Sequence, residues 1–174
     1  IFDCKPKAII SASCGLEPHK VIYYAKMIRE AKKLVNEQEL FTVYVNREEG
    51  KLETLEKNEF FYHEELKTAK PQKAVKLLST HPLYILYTSG TTGDPKGIYR
   101  DQGGTAIGVM ASLDYGFGFS NNSIMFATSD IGWVVGHSYI IYGPLLFGAT
   151  SIIYEGKPTG TPDVGAYFKI VEDY

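Results

Sequence analysis

Three observations predict an α/β fold built from parallel β–α–β units. Short runs rich in β-formers recur at Ala8–Ser13, Phe41–Val45, Leu83–Tyr87, Ile124–Thr128 and Ser151–Tyr154. Stretches of helical character separate them, and strands alternating with helices imply parallel pairing with right-handed crossovers. Composition agrees: 44% of residues are hydrophobic and 22% charged, as in a globular domain. A Gly/Ser/Thr-rich segment directly follows the third run, which is where open parallel sheets place ligands, beyond the carboxyl ends of strands.

The elements follow in order. Ala8–Ser13 is an apolar run after Pro6 and reads as a strand. Glu17, Pro18 and His19 are expected to open a helix, with Val21, Tyr24, Ala25, Ile28, Ala31 and Val35 on one face. Phe41–Val45 is the next strand. Arg47 to Glu65 is charge-rich, with a helix near Glu59–Lys67. Lysines 67, 70, 73 and 76 bracket Pro71 and mark a linker whose charges face solvent. Residues 1–66 thus read as one β–α–β segment, 67–81 as a linker, and 82–174 as a second segment. In the second, Leu83–Leu86 reads as a buried strand. Helices are expected around Gly104–Tyr115, within Val135–Phe147 and from near Asp163. Tyr167, Ile170, Val171 and Tyr174 are still in helical register at the last residue, and the chain starts at Ile1. It is expected to be a piece of a longer protein.

Charge and cysteine content narrow the class. The net charge of −2 supplies no basic field for nucleic acid or an anionic membrane. No apolar run approaches the ~18 residues of a membrane helix. Two cysteines, Cys4 and Cys14, are too few for a disulfide framework and show no metal-ligand spacing, so a reducing compartment is the simpler reading. His19, His63 and His81 have no ligand spacing with His137, and no metal site is expected.

Tyr87–Gly97 carries the chemistry. It packs three glycines, the hydroxyls of Thr88, Ser89, Thr91 and Thr92, and Lys96 into eleven residues. Gly90, Gly93 and Gly97 let backbone N–H groups approach an anion, hydroxyls add short donors, and lysine adds a mobile positive charge. Each charge-assisted bond is worth roughly 1.5–3 kcal/mol. Ordinary loops are also rich in Gly, Ser and Thr. The Walker pattern G-x-x-x-x-G-K-[ST] fails, since Asp94 follows Gly93 and Gly97 follows Lys96. A Rossmann G-x-G-x-x-G is absent from this loop.

The string Tyr87–Gly97 closely resembles the phosphate-loop signature of the adenylate-forming enzymes. A second segment, Ser129-Asp130-Ile131-Gly132-Trp133-Val134-Val135-Gly136-His137-Ser138-Tyr139, followed by Tyr142-Gly143-Pro144-Leu145, resembles the short-chain acyl-CoA synthetases. Gly148-Ala149-Thr150 and Tyr154-Glu155-Gly156 extend the likeness to the acetyl- and propionyl-CoA synthetase branch. The Val135 version looks more like the propionyl type, because acetyl-specific members usually carry threonine there.

The resemblance implies part of the large N-terminal domain of an adenylate-forming enzyme. It implies ATP, Mg²⁺ and CoA as cofactors and cosubstrates, and a short-chain carboxylate as substrate, propionate favoured over acetate. Thr88, Ser89, Gly90, Thr91, Thr92, Gly93 and Lys96 would hold the ATP phosphates; Asp94 is expected to point to solvent. Trp133, Val134, Val135 and His137 would line the acyl pocket. Trp133 outside its motif would read as core. His137 could equally be a hydrogen-bonded structural residue. Asp130 reads as a turn or cap residue. Cys14, Gly15 and Arg47 match, loosely, positions that contact CoA. No general base or nucleophile is implied within the chain. The adenine segment, ribose-binding aspartate, hinge and late lysine of the family have no counterpart before Tyr174. The alternatives are an acetate–CoA ligase or a non-catalytic nucleotide-binding remnant. Mitochondrial matrix or cytoplasm is the implied compartment.

Overall fold

The computed structural model describes residues 1–17, 19–89, 93–157 and 161–174. The chain forms two units. One comprises Ile1–Lys73 and Thr159–Pro162, the other Ala74–Pro158 and Asp163–Tyr174.

The first unit is built on a three-stranded parallel sheet. Its strands are β1 (Ala8–Ala12), β4 (Phe41–Val45) and β5 (Glu59–Phe61), in the order β1-β4-β5. Ala8 pairs with Phe41 and Thr42 with Glu59. A hairpin of β2 (Cys14–Glu17) and β3 (Lys20–Tyr23) follows β1, then helix α1 (Tyr24–Leu34). The helix expected from residue 17 therefore starts seven residues later. Antiparallel pairing of Cys14 with Tyr23 and Leu16 with Val21 takes the backbone groups a helix would need, and Val21-Ile22-Tyr23 are β-formers. Tyr24 N–H donates to the Ser13 carbonyl at 3.0 Å, which seats the first helical turn on the end of β1. Residues 59–61, expected to be helical, extend the sheet as β5 instead, and α2 spans Tyr62–Thr68.

Cys14, Ala25 and Tyr44 form the apolar core of this unit, and a polar network crosses it. The Arg29 guanidinium holds both carboxylate oxygens of Glu59, with Nη2 2.6 Å from Oε2. Tyr44 Oη donates to Glu59 Oε1 at 3.3 Å, and the Glu56 amide donates to Oε2 at 2.9 Å. Lys32, also buried, donates to the Leu40 carbonyl at 2.7 Å.

The second unit opens with a hairpin. Strand β6 (Pro82–Thr88) pairs antiparallel with β7 (Lys96–Asp101). This corrects the expected strand–loop–helix arrangement: a second strand, β7, lies between the Gly/Ser/Thr segment and the helix. Nor is β6 a buried strand, since Ile85 is 50% exposed. Helix α3 (Gln102–Ala111) runs into a π-helical turn at Ser112–Gly116. Strands β8 (Ile124–Phe126) and β9 (Thr150–Ile152) pair in parallel across a helical crossover. The crossover consists of α4 (Val134–Gly136), a π-helical segment His137–Tyr142, and α5 (Gly143–Phe147). Helix α6 (Ala166–Asp173) closes the chain. Val109, Leu113, Ile140 and Pro144 are the buried apolar side chains of this unit among the described residues. A Cβ on Gly143 would meet Leu113 Cδ1 at 2.6 Å and Val109 Cγ1 at 2.8 Å, so α3 and the crossover approach as closely as they do because residue 143 has no side chain.

Candidate functional site: a cleft between a hairpin and an aromatic wall

The β6–β7 hairpin presents one face to a cleft of about 80 Å³. Tyr84, Leu86 and Thr88 from β6 and Ile98 and Arg100 from β7 line it, with Trp133 and Val134 opposite. Alternate residues of a strand share a face, so the lining follows from the sequence Tyr-x-Leu-x-Thr and Ile-x-Arg. The register gives three facing pairs: Thr88 with Lys96, Leu86 with Ile98, and Tyr84 with Arg100. The same alternation puts Lys96 on the cleft face. Directly paired residues have Cβ atoms about 4.5–5.5 Å apart, so a hydroxyl and an ammonium flank the start of the turn.

Within the turn, Gly93 has φ +89°, a conformation that side-chain-bearing residues rarely adopt. Ser89 and Asp94 are exposed, Asp94 as expected. Gly90, Thr91 and Thr92, also predicted to bind phosphate, lie outside the described residues.

The opposite wall is held by the loop before α4. Asp130 Oδ1 accepts from the Gly132 amide at 2.7 Å, and the Trp133 amide donates to the Asp130 carbonyl at 3.1 Å. Asp130 is therefore a turn residue. Trp133 precedes α4 in an extended conformation, and 55% of it is exposed, so it is not core. Val134 joins it on the cleft, whereas Val135 and His137 are not among the lining residues.

His137 acts on the wall from behind. Its Nδ1 lies 3.0 Å from the Trp133 carbonyl, which can only accept, so Nδ1 carries the proton. Its ring lies 5.0 Å from that of Tyr84, and Tyr84 stacks on Tyr142 at 5.8 Å and 13°. In an α-helix, residues five apart point well away from each other. The wider π-helical turn brings His137 and Tyr142 onto the same aromatic residue of β6. His137 is thus hydrogen-bonded to Trp133 and braces Tyr84 without lining the cleft itself. Tyr84, Leu86, Ile98 and Arg100 escaped prediction; the signal available was the two-residue alternation on either side of the turn.

In the first unit, the parallel pairing of β1 and β4 brings residues 13–15 and 47 to one sheet edge. The Arg47 amide donates to Ser13 Oγ at 2.9 Å, and the Ser13 amide to the Val45 carbonyl at 2.9 Å. Cys14 is 0% exposed, and Gly15 is buried under the Tyr24 ring. Arg47 is partly exposed and lies 3.7 Å from Glu49.

The family described as AMP-binding enzyme matches residues 1–174. The chain is 44% identical to the acyl-CoA synthetase short-chain family member 3, mitochondrial, of Bos taurus, over 100% of this chain and 26% of that protein. It is 42% identical to the propionate–CoA ligase of Escherichia coli (strain K12), over 100% of this chain and 28% of that protein. The chain thus spans about a quarter of the length of these relatives. Among solved structures, the acetoacetyl-CoA synthetase from Streptomyces lividans matches with a TM-score of 0.78, over 97% of this chain and 25% of that one, at 24% identity. That likeness shows the fold: the chain shares the architecture of about a quarter of that structure. A family match over every residue, with the hairpin turn and its signature in place, establishes that this chain belongs to the AMP-binding enzyme family.

Proposed function

We propose that the full-length protein is an ATP-dependent, AMP-forming acid–thiol ligase that activates a short carboxylate, propionate in preference to acetate. One observation carries this reading: Thr88, paired with Lys96 at the turn, lines the same apolar cleft as Trp133 and Val134. A polyphosphate at the turn and a small acyl tail in the cleft would be neighbours. The similarity to a protein named propionate–CoA ligase supports the choice of acid.

In this reading the carboxylate oxygen attacks the α-phosphorus of MgATP, giving an acyl-adenylate and pyrophosphate. The thiol of CoA then attacks the acyl carbon, giving the thioester and AMP. Thr88, Ser89, the turn amides and Lys96 stabilise the charge that develops as pyrophosphate leaves; Gly90, Thr91 and Thr92 are assigned to the same task on sequence grounds. Mg²⁺ enters as part of the nucleotide substrate and adds a positive charge there. The apolar wall excludes water from the adenylate. Arg47 is the residue assigned to the phosphates of CoA, through its planar donor fork. The compartment that fits is the mitochondrial matrix or the cytoplasm; the name of the Bos taurus relative carries the word mitochondrial.

The test compares kcat/KM for acetate, propionate and octanoate in the full-length protein. Propionate is expected to lead acetate by about tenfold, the worth of one methylene in an apolar pocket. A preference for octanoate, or no acyl-CoA formed from any of the three, contradicts the reading.

A further inference from the structure

We propose that Arg100 sets the upper limit on the acyl chain that the cleft accepts. The proposal rests on the carboxylate-activating reading above and adds to it the residue that makes the substrate short.

Counted from the turn, the cleft face of the hairpin carries three cross-strand pairs: Thr88 with Lys96, Leu86 with Ile98, Tyr84 with Arg100. Successive pairs on one face are about 7 Å apart, two residues at ~3.4 Å each. The apolar floor is one pair long, Leu86 and Ile98, roofed by Trp133 and Val134. A carboxylate engaged with a nucleotide held at Thr88 and Lys96 sends its tail along this floor toward Arg100. A propionyl tail ends over Leu86 and Ile98. An octanoyl tail runs on to the third pair.

There it meets two obstacles. The guanidinium of Arg100 stays charged throughout the working pH range. Among the described residues it has no hydrogen-bond or ion-pair partner, and the residue is exposed, so water hydrates it. An alkyl chain laid across it strips that water and offers nothing in return. Tyr84, beside it, cannot yield: its ring is stacked on Tyr142 and packed against His137, which is itself bonded to Trp133. A charged residue next to a braced ring is a barrier to an apolar tail but not to the short one that stops before it.

The experiment reads the ratio of kcat/KM for octanoate to that for propionate in the full-length protein. Arg100→Leu is expected to raise the ratio by at least about tenfold, in the range that pocket methylenes command. Arg100→Lys keeps a charge at the position and is expected to keep the wild-type ratio. Arg100→Gln, which removes the charge but leaves a polar side chain, is expected to fall between the two and serves if the leucine variant does not fold. An unchanged ratio in Arg100→Leu or Arg100→Gln, with propionate still turned over, overturns the proposal while leaving the ligase reading intact. So does a lysine variant that behaves like the leucine one. Wild-type protein that activates neither acid overturns the ligase reading and this proposal with it.

Discussion

Glu59 is the residue on which the first unit depends most. Its side chain is fully buried, yet the carboxyl titrates below the usual carboxylate range. Burial alone would push it up; the Arg29 fork and the Glu56 amide outweigh burial and pull it down. A carboxylate whose folded-state pKa is depressed contributes stability that is present above its unfolded pKa of about 4.3 and lost as pH falls through the folded value. The first unit should therefore lose stability below about pH 4.3. Arg29→Ala leaves the buried carboxylate unpaired, and urea denaturation at pH 7 should report a loss of about 3 kcal/mol. The loss should shrink at low pH, where Glu59 takes up a proton. A loss that is the same at pH 7 and pH 3.5 would mean that the pair does not carry the effect.

At the scale of elements, the crossing of α3 with the 134–147 crossover depends on Gly143. Adding one methyl group there forces Leu113 or Val109 from its place. Gly143→Ala should destabilise the protein by about 1–3 kcal/mol, the usual cost of overpacking. Equilibrium denaturation checks it; a variant as stable as wild type would show that the helices can part freely.

Elements also differ in how legible they were. Phe41–Val45 could be read to the residue, because five consecutive β-formers stand there and Asn46 ends the run. Beyond Leu86, the hairpin could not. Lys96–Asp101 begins and ends in charge, and its alternation becomes visible only once its partner strand is known. Glu17 and His19 read as a helix start, but Glu17 ends β2 and pairs with Lys20 of β3. Helical periodicity in α1 was real, yet it could not locate the first turn, which is set by a bond to the Ser13 carbonyl. The candidate site divides along the same line. Motif residues such as Thr88, Lys96 and Trp133 were legible because they sit in contiguous strings. Tyr84, Ile98 and Arg100 were not, because antiparallel register is a long-range property.

At the scale of the molecule, the second unit brings two distant sequence strings to one cleft. The strand alternation of β6 and β7 aims Thr88, Leu86 and Ile98 at it, and the Asp130 turn with His137 behind it presents Trp133 and Val134. The family membership gives that convergence its chemistry, and the central claim is that the β6–β7 turn holds the phosphates of ATP beside the acyl group. ATP–pyrophosphate exchange dependent on propionate tests it most directly, because it reads adenylate formation without CoA. In the full-length protein, Lys96→Ala should lower the exchange rate by about 10²–10³, the effect of losing one preorganised charge-stabilising donor. Asp94→Asn, at an exposed position of the same turn, should leave the rate near wild type. A folded Lys96→Ala variant that exchanges pyrophosphate at the wild-type rate would contradict the claim.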